Sequence, residues 1–303
     1  MAVPGLSIVD SHAHVWINDP EFPWSPDAAA TPTYDATPAS LLEDMSVEAI
    51  AATVLVQYIG YRWHNEYVAR AVAAAPAKFA GVCRVNPEDP AAPEHLNYWT
   101  KERGLHGVRI SPEPGPRGDW FRRPLMDPFF GRAAELGVPV VLLAKAERLP
   151  ELVDILSRHP DVDVVIDHFA DCDLRNAEHR HSLAALADNP RVFLKTGHMW
   201  ANSTEPYPWR DQIEVLREVL VLFGASRIMW GSDWPLCREH TTYGRALAFL
   251  RHEATQLSRD DLGWILGGTA KRLWQFGEQS PVPTTQPSGQ RDHSVSSSSP
   301  GRD

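Results

Sequence analysis

A chain of 303 residues with a formal net charge of −10 is too acidic to take nucleic acid or an anionic membrane as its main partner, since both call for a basic surface. Its three cysteines, Cys83, Cys172 and Cys237, are too few and too scattered for a disulfide framework or a zinc ribbon. No apolar run approaches the roughly 20 residues that span a bilayer, and the N-terminal residues lack the basic and apolar regions of a signal peptide, so a soluble cytoplasmic protein is expected.

Eight short runs rich in β-branched residues read as strands: Leu6–Asp10, Thr53–Tyr58, Phe79–Val85, Leu105–Ile110, Val138–Ala144, Val162–His168, Val192–Gly197 and Arg227–Asp233. Several are almost continuously apolar, as parallel strands buried on both faces are. Helix-length segments with apolar residues at three- and four-residue spacing lie between them, for instance Leu149–Leu156 and Ile213–Leu220. Strand and helix alternating eight times predict a (β/α)8 barrel of the TIM type, and 303 residues suit one such barrel plus a tail. No Gly-x-Gly-x-x-Gly opens a helix after an early strand, so a dinucleotide-binding sheet lacks its anchor. Ser258 with Asp261 three residues on resembles a capping box and introduces a terminal helical region to about Phe276. The barrel is expected over residues 1–276. From Gly277 to Asp303 the chain turns to Ser, Pro, Thr and Gln, cannot bury enough surface to offset its ordering entropy, and reads as a disordered tail.

Two segments near opposite ends carry the chemistry, Asp10-Ser11-His12-Ala13-His14 and Gly231-Ser232-Asp233-Trp234-Pro235. Barrel closure makes the first and last strands neighbours, bringing two imidazoles and a carboxylate together. Residues two apart on a strand share a face, so His12 and His14 are expected to point the same way as Asp10. The pair can ligate a divalent metal or donate to a substrate oxygen. Asp233 can bind the same metal and take a proton from attacking water. His168, at the tip of a buried run, is a third catalytic candidate, orienting substrate or assisting a leaving group. Lys195 and His198 end the seventh strand as candidate substrate contacts, with an ion pair beneath the site as the alternative for Lys195. Arg109 near the end of strand four can hold a carboxylate through its planar guanidinium, and Trp63, in the loop after strand two, can wall a pocket.

Taken in order, Asp10-x-His12-x-His14-x-Trp16, Val56-Gln57, Asp167-His168, Lys195-x-Gly197 and Gly231-Ser232-Asp233-Trp234-Pro235 resemble the amidohydrolase superfamily over residues 6 to 276. Within it they are similar to the amidohydrolase-related branch, which includes sugar-lactone and dicarboxylate-lactone hydrolases. The resemblance implies a barrel enzyme opening a cyclic ester, a small molecule carrying a carboxylate or derived from a sugar, with water activated near Asp233. It adds Gln57 to the candidate substrate contacts. One departure stands out: strand five, Val140-Val141-Leu142-Leu143-Ala144-Lys145, lacks the histidine the superfamily usually presents there. No bridging Lys or Glu follows strand four, so a binuclear centre is not expected. Two readings stay open, one zinc ion held by His12, His14 and Asp233 with His168 as an optional further ligand, and a metal-free site in which the imidazoles polarise the carbonyl. Two other functions stay open as well: non-oxidative decarboxylation of an aromatic or unsaturated acid, and a barrel that binds a small molecule without turnover. Nothing in the sequence speaks to oligomeric state.

Overall fold

The computed structural model describes residues 6–28, 30–112, 121 and 124–277. The stretch read as a disordered tail lies, from residue 278 on, outside the described residues. Eight parallel strands pair strictly in chain order: β1 (Ile8–Ala13), β2 (Ile50–Val56), β3 (Phe79–Arg84), β4 (Gly107–Ile110), β5 (Val140–Leu142), β6 (Val164–Ile166), β7 (Val192–Lys195) and β8 (Ile228–Met229). Around them run α1 (Pro38–Val47), α2 (Glu66–Ala74), α3 (Ala92–Asn97), α4 (Met126–Leu136), α5 (Leu149–Arg158), α6 (Ala177–Ala187), α7 (Met199–Asn202), α8 (Asp211–Phe223), α9 (Tyr243–Ala248), α10 (Arg259–Gly263) and α11 (Thr269–Leu273). No helix among the described residues is long and apolar enough to cross a membrane.

The period of two sorts the strand residues into two cores. Val9, Val54, Val56, Ala80, Val82, Val141, Val165, Phe193 and Met229 pack together inside the barrel, with Ala270 and Trp274 closing its lower end. Their neighbours Leu55, Cys83, Val108, Ile110, Leu142, Ile166 and Leu194 belong to the larger core shared with the helices. Helix starts follow local chemistry: Thr37 caps α1 with Pro38 behind it, Asn176 caps α6, and Ser258 with Asp261 forms the expected capping box at α10.

Strand ends depart from the sequence reading at the seam. β1 runs on to Ala13, and β8 stops at Met229 because the Trp230 amide turns to the Ile265 carbonyl at 2.8 Å. No ladder joins β8 to β1 among the described residues. Three backbone bonds do instead: Ser11 N to Trp230 O at 2.9 Å, Asp233 N to His12 O at 2.9 Å and His14 N to Trp234 O at 2.7 Å. A register irregularity between Asp10 and Ala13 reverses the alternation there. Asp10 therefore does not share a face with His12, contrary to the simple period of two. Its carboxylate meets Ser232 and Tyr243 on the helix side, while the His12 ring faces Asp167 and Lys195 within the barrel.

Candidate active site

His12 and His14 rise from the end of β1 and Asp233 from the segment after β8, at the C-terminal face where this fold collects functional groups. All three are buried. His14 Nδ1 lies 2.7 Å from the Val56 carbonyl, an acceptor only, so in the neutral ring the proton sits on Nδ1 and Nε2 offers a lone pair. His12 Nδ1 lies 3.1 Å from Asp167 Oδ1 and 3.2 Å from Lys195 Nζ. Lys195 itself reaches the same carboxylate oxygen at 3.1 Å. The arrangement satisfied throughout has both His12 Nδ1–H and Lys195 donating to Asp167, which leaves His12 Nε2 unprotonated as well.

The two Nε2 atoms stand 3.2 Å apart, and Asp233 Oδ1 is 3.2 Å from that of His14 and 3.6 Å from that of His12. Asp233 Oδ1 makes no hydrogen bond. With both rings neutral, three acceptors face one another, an unfavourable cluster unless a proton, a metal ion or a substrate donor sits among them. Ligands around a tetrahedral ion at about 2.0–2.1 Å lie about 3.3–3.4 Å apart, which matches these spacings. The residues present therefore fit one divalent metal.

Charge around this triangle is set by burial and partners. Burial pushes the His12 imidazole down to about 3, with Asp167 and Lys195 acting in opposite directions upon it. Burial alone would raise Asp167, yet Lys195, His12 and Arg109 hold its carboxyl well below the usual range. Asp233 behaves likewise, with His14 and His198 overriding burial. Burial drives His168 well below the ordinary histidine value, with the neighbouring His198 adding to it. For His198 burial is outweighed by Asp171 and Asp233, which raise it to about 9. Its Nε2 is 2.8 Å from Asp233 Oδ2, so the two oxygens of Asp233 serve different partners.

His168 approaches the group from β6, its ring 4.7 Å from that of His12 and stacked on His198 at 3.5 Å and 9°. His168, His198 and Asp233 also place one ligand atom each within 4.8 Å of one another, as do His12, Asp167 and His168. His168, His198 and Asp233 all hold positive φ, 55°, 63° and 60°, conformations that cost of order 1–3 kcal/mol each and cluster at functional sites. Glycine makes room for them. A Cβ on Gly197 would stand 2.3 Å from His168 Nδ1, and one on Gly231 2.7 Å from His12 Cβ.

A family model for amidohydrolases matches residues 9–276. The chain belongs to the amidohydrolase family. This amidohydrolase is 25% identical to an L-fucono-1,5-lactonase of Burkholderia ambifaria, over 90% of its own length and 97% of the relative's. It is 28% identical to a 2-pyrone-4,6-dicarboxylate hydrolase of Comamonas testosteroni, over 75% of its own length and 76% of the relative's. Its fold is that of an amidohydrolase from Burkholderia multivorans crystallised with bound zinc, at a TM-score of 0.73, 23% identity, and coverage of 88% of this chain and 98% of that one.

The remaining expected contacts of the amidohydrolase site divide. Lys195, fully buried, lies under His12 with its ammonium 5.3 Å from the Trp274 ring. Its bond to Asp167 is the ion pair beneath the site that the sequence offered as one reading. Arg109 commits its Nε to Asp167 Oδ2 at 2.9 Å. Gln57 is fully buried and donates to the His64 carbonyl at 2.6 Å, while its Oε1 has no partner. Trp63 lies 5.6 Å from the Arg84 guanidinium and lines, with Tyr98 and Trp99, a cavity beyond β3. The sequence reading quoted Asp167 within the Asp167-His168 motif but gave no role to it, the carboxylate that joins His12, Lys195 and Arg109. Its signal was present, because Asp167 is two residues beyond Val165 and so shares the barrel-facing side of β6.

Proposed function

We propose that this amidohydrolase hydrolyses a lactone, adding water across the cyclic ester of a small carboxylate-bearing or sugar-derived molecule. The observation that carries the reading is the triangle of converging atoms, His12 Nε2, His14 Nε2 and Asp233 Oδ1, at 3.2–3.6 Å spacing. Lactone-acting relatives aligned over most of the chain supply the substrate class. His12, His14 and Asp233 would hold a single divalent ion, with zinc suited to two imidazoles and a carboxylate at tetrahedral spacing. Such an ion supplies Lewis-acid polarisation of the ester carbonyl.

The chain's own groups perform the remaining work. Asp233, kept ionised, accepts a proton from the water that attacks the carbonyl carbon. His198, protonated and bonded to Oδ2, holds that carboxylate in place. Asp167 fixes the His12 tautomer, and Lys195 and Arg109 keep Asp167 charged. Neutral His168, presented from the left-handed turn after β6, orients the substrate and stabilises the ring oxygen as the acyl C–O bond breaks. The proton held by Asp233 passes to the departing ring oxygen, which regenerates the carboxylate, while the water's second proton stays with the new acid, which ionises at neutral pH. Decarboxylation gains no support from the end of strand five, where Leu143–Lys145 offer no imidazole.

Asp233→Asn tests the assignment. It should lower kcat by about 10²- to 10⁴-fold while the Tm stays near that of the wild type; turnover equal to the wild type would remove Asp233 from the role.

A further inference from the structure

We propose that Asp10 is a positioning residue for this site, a carboxylate clamp across the β1–β8 seam that keeps Asp233 aimed at His12 and His14. The inference rests on the reading of Asp233 as the acting carboxylate and concerns what holds it there.

The seam is where the barrel's pairing is thinnest. β8 keeps two residues in its ladder with β7, and β1 loses its regular register between Asp10 and Ala13. Both edges are left with backbone N–H groups to satisfy, and buried N–H groups are almost always paired. Asp10, itself fully buried, pairs one from each side. Its Oδ1 accepts from His12 N at 3.1 Å and from Ser232 N at 2.9 Å. Its Oδ2 accepts from the Ser232 hydroxyl at 2.5 Å and from the Tyr243 hydroxyl of α9 at 2.9 Å. Four donors thus converge on one side chain, two of them from Ser232.

Ser232 passes the constraint on. Having given its proton to Asp10, its Oγ accepts from Trp234 N at 2.9 Å. Asp233 lies between these two held residues, and its own N–H bonds the His12 carbonyl at 2.9 Å. Its φ of 60° is a conformation a non-glycine residue keeps only when its surroundings over-determine it. The bonds at Ser232 and Trp234 do that from both sides. None of the bonds to the Asp10 carboxylate comes from the His12 ring, the His14 ring or the Asp233 carboxylate. Asp10 sets the distance between the two strands that carry them.

Two variants separate a clamp from a general prop. Asp10→Asn keeps the shape and one acceptor oxygen for the two N–H groups, but presents an amide nitrogen, a donor, to the Ser232 and Tyr243 hydroxyls. Ser232→Ala removes only the relay and keeps the test decisive if Asp10→Asn does not fold. In either variant kcat on a lactone should fall roughly 10- to 100-fold with KM little changed. Hydrogen exchange at the amides of Ser232 and Trp234 should quicken while amides of β3 to β6 keep their protection. The double variant should lose no more than the worse single one, because both act through one connection. Wild-type kcat in the folded variants, unchanged exchange at those two amides, or fully additive losses would each overturn the proposal. Should the wild type prove inactive on every lactone, the functional reading fails, and exchange at Ser232 and Trp234 still decides whether the clamp exists.

Discussion

Asp167 does for His12 what the Val56 carbonyl does for His14, committing one ring nitrogen so that the other is free. The two imidazoles and Asp233 could be picked out of the sequence because His-x-His and Gly-Ser-Asp-Trp-Pro stand at strand ends that a barrel makes adjacent. Asp167 could not be assigned its role that way, since its importance lies in three partners from β1, β4 and β7 that no local pattern links. Lys195, for which the sequence left an ion pair and a substrate contact open, and Arg109, a candidate substrate contact, both bond this buried carboxylate. Asp167→Asn should therefore act twice. Leaving two cations without their counter-charge should cost about 3–5 kcal/mol of stability, measured by chemical denaturation. Releasing the His12 tautomer should lower kcat roughly 10- to 100-fold in the fraction that remains folded.

At the level of elements, the strands were legible as apolar runs, while their ends were not. Ends are decided by which carbonyl captures the next amide, as when Ile265 takes the Trp230 N–H and stops β8. The register irregularity in β1 is equally silent in the sequence, and it alone turns Asp10 from a site-facing carboxylate into a seam residue. Terminal helices α10 and α11 were expected from their cap, but not what they cover. They deliver Trp274, 1% exposed, into the lower end of the barrel beneath Lys195. Trp274→Ala would open a large void there and should cost about 3–5 kcal/mol, read as a lowered denaturation midpoint. Because Trp274 lies a full layer below the imidazoles, kcat of the folded enzyme should fall less than in Asp167→Asn.

Across the whole molecule, a chain of net charge −10 buries Lys195 and Arg109 against Asp167 and sets His198 between Asp171 and Asp233. With those charges balanced, the positive charge that the tetrahedral oxyanion of ester hydrolysis calls for would come from the proposed ion. Eight alternating strands and helices were enough to name the barrel, because only a closed ring brings residues 12 and 233 together. The choice between a metal and a metal-free site was not legible, since it depends on proton positions fixed by Val56 and Asp167. Acid release from a panel of aldonolactones and carboxylated pyrones, followed with a pH indicator before and after chelation, is the decisive measurement for a metal-assisted lactonase. The wild type should release acid from at least one lactone, lose that activity on chelation and recover it on adding zinc. No release from any lactone by the zinc-supplemented protein would contradict the lactonase reading.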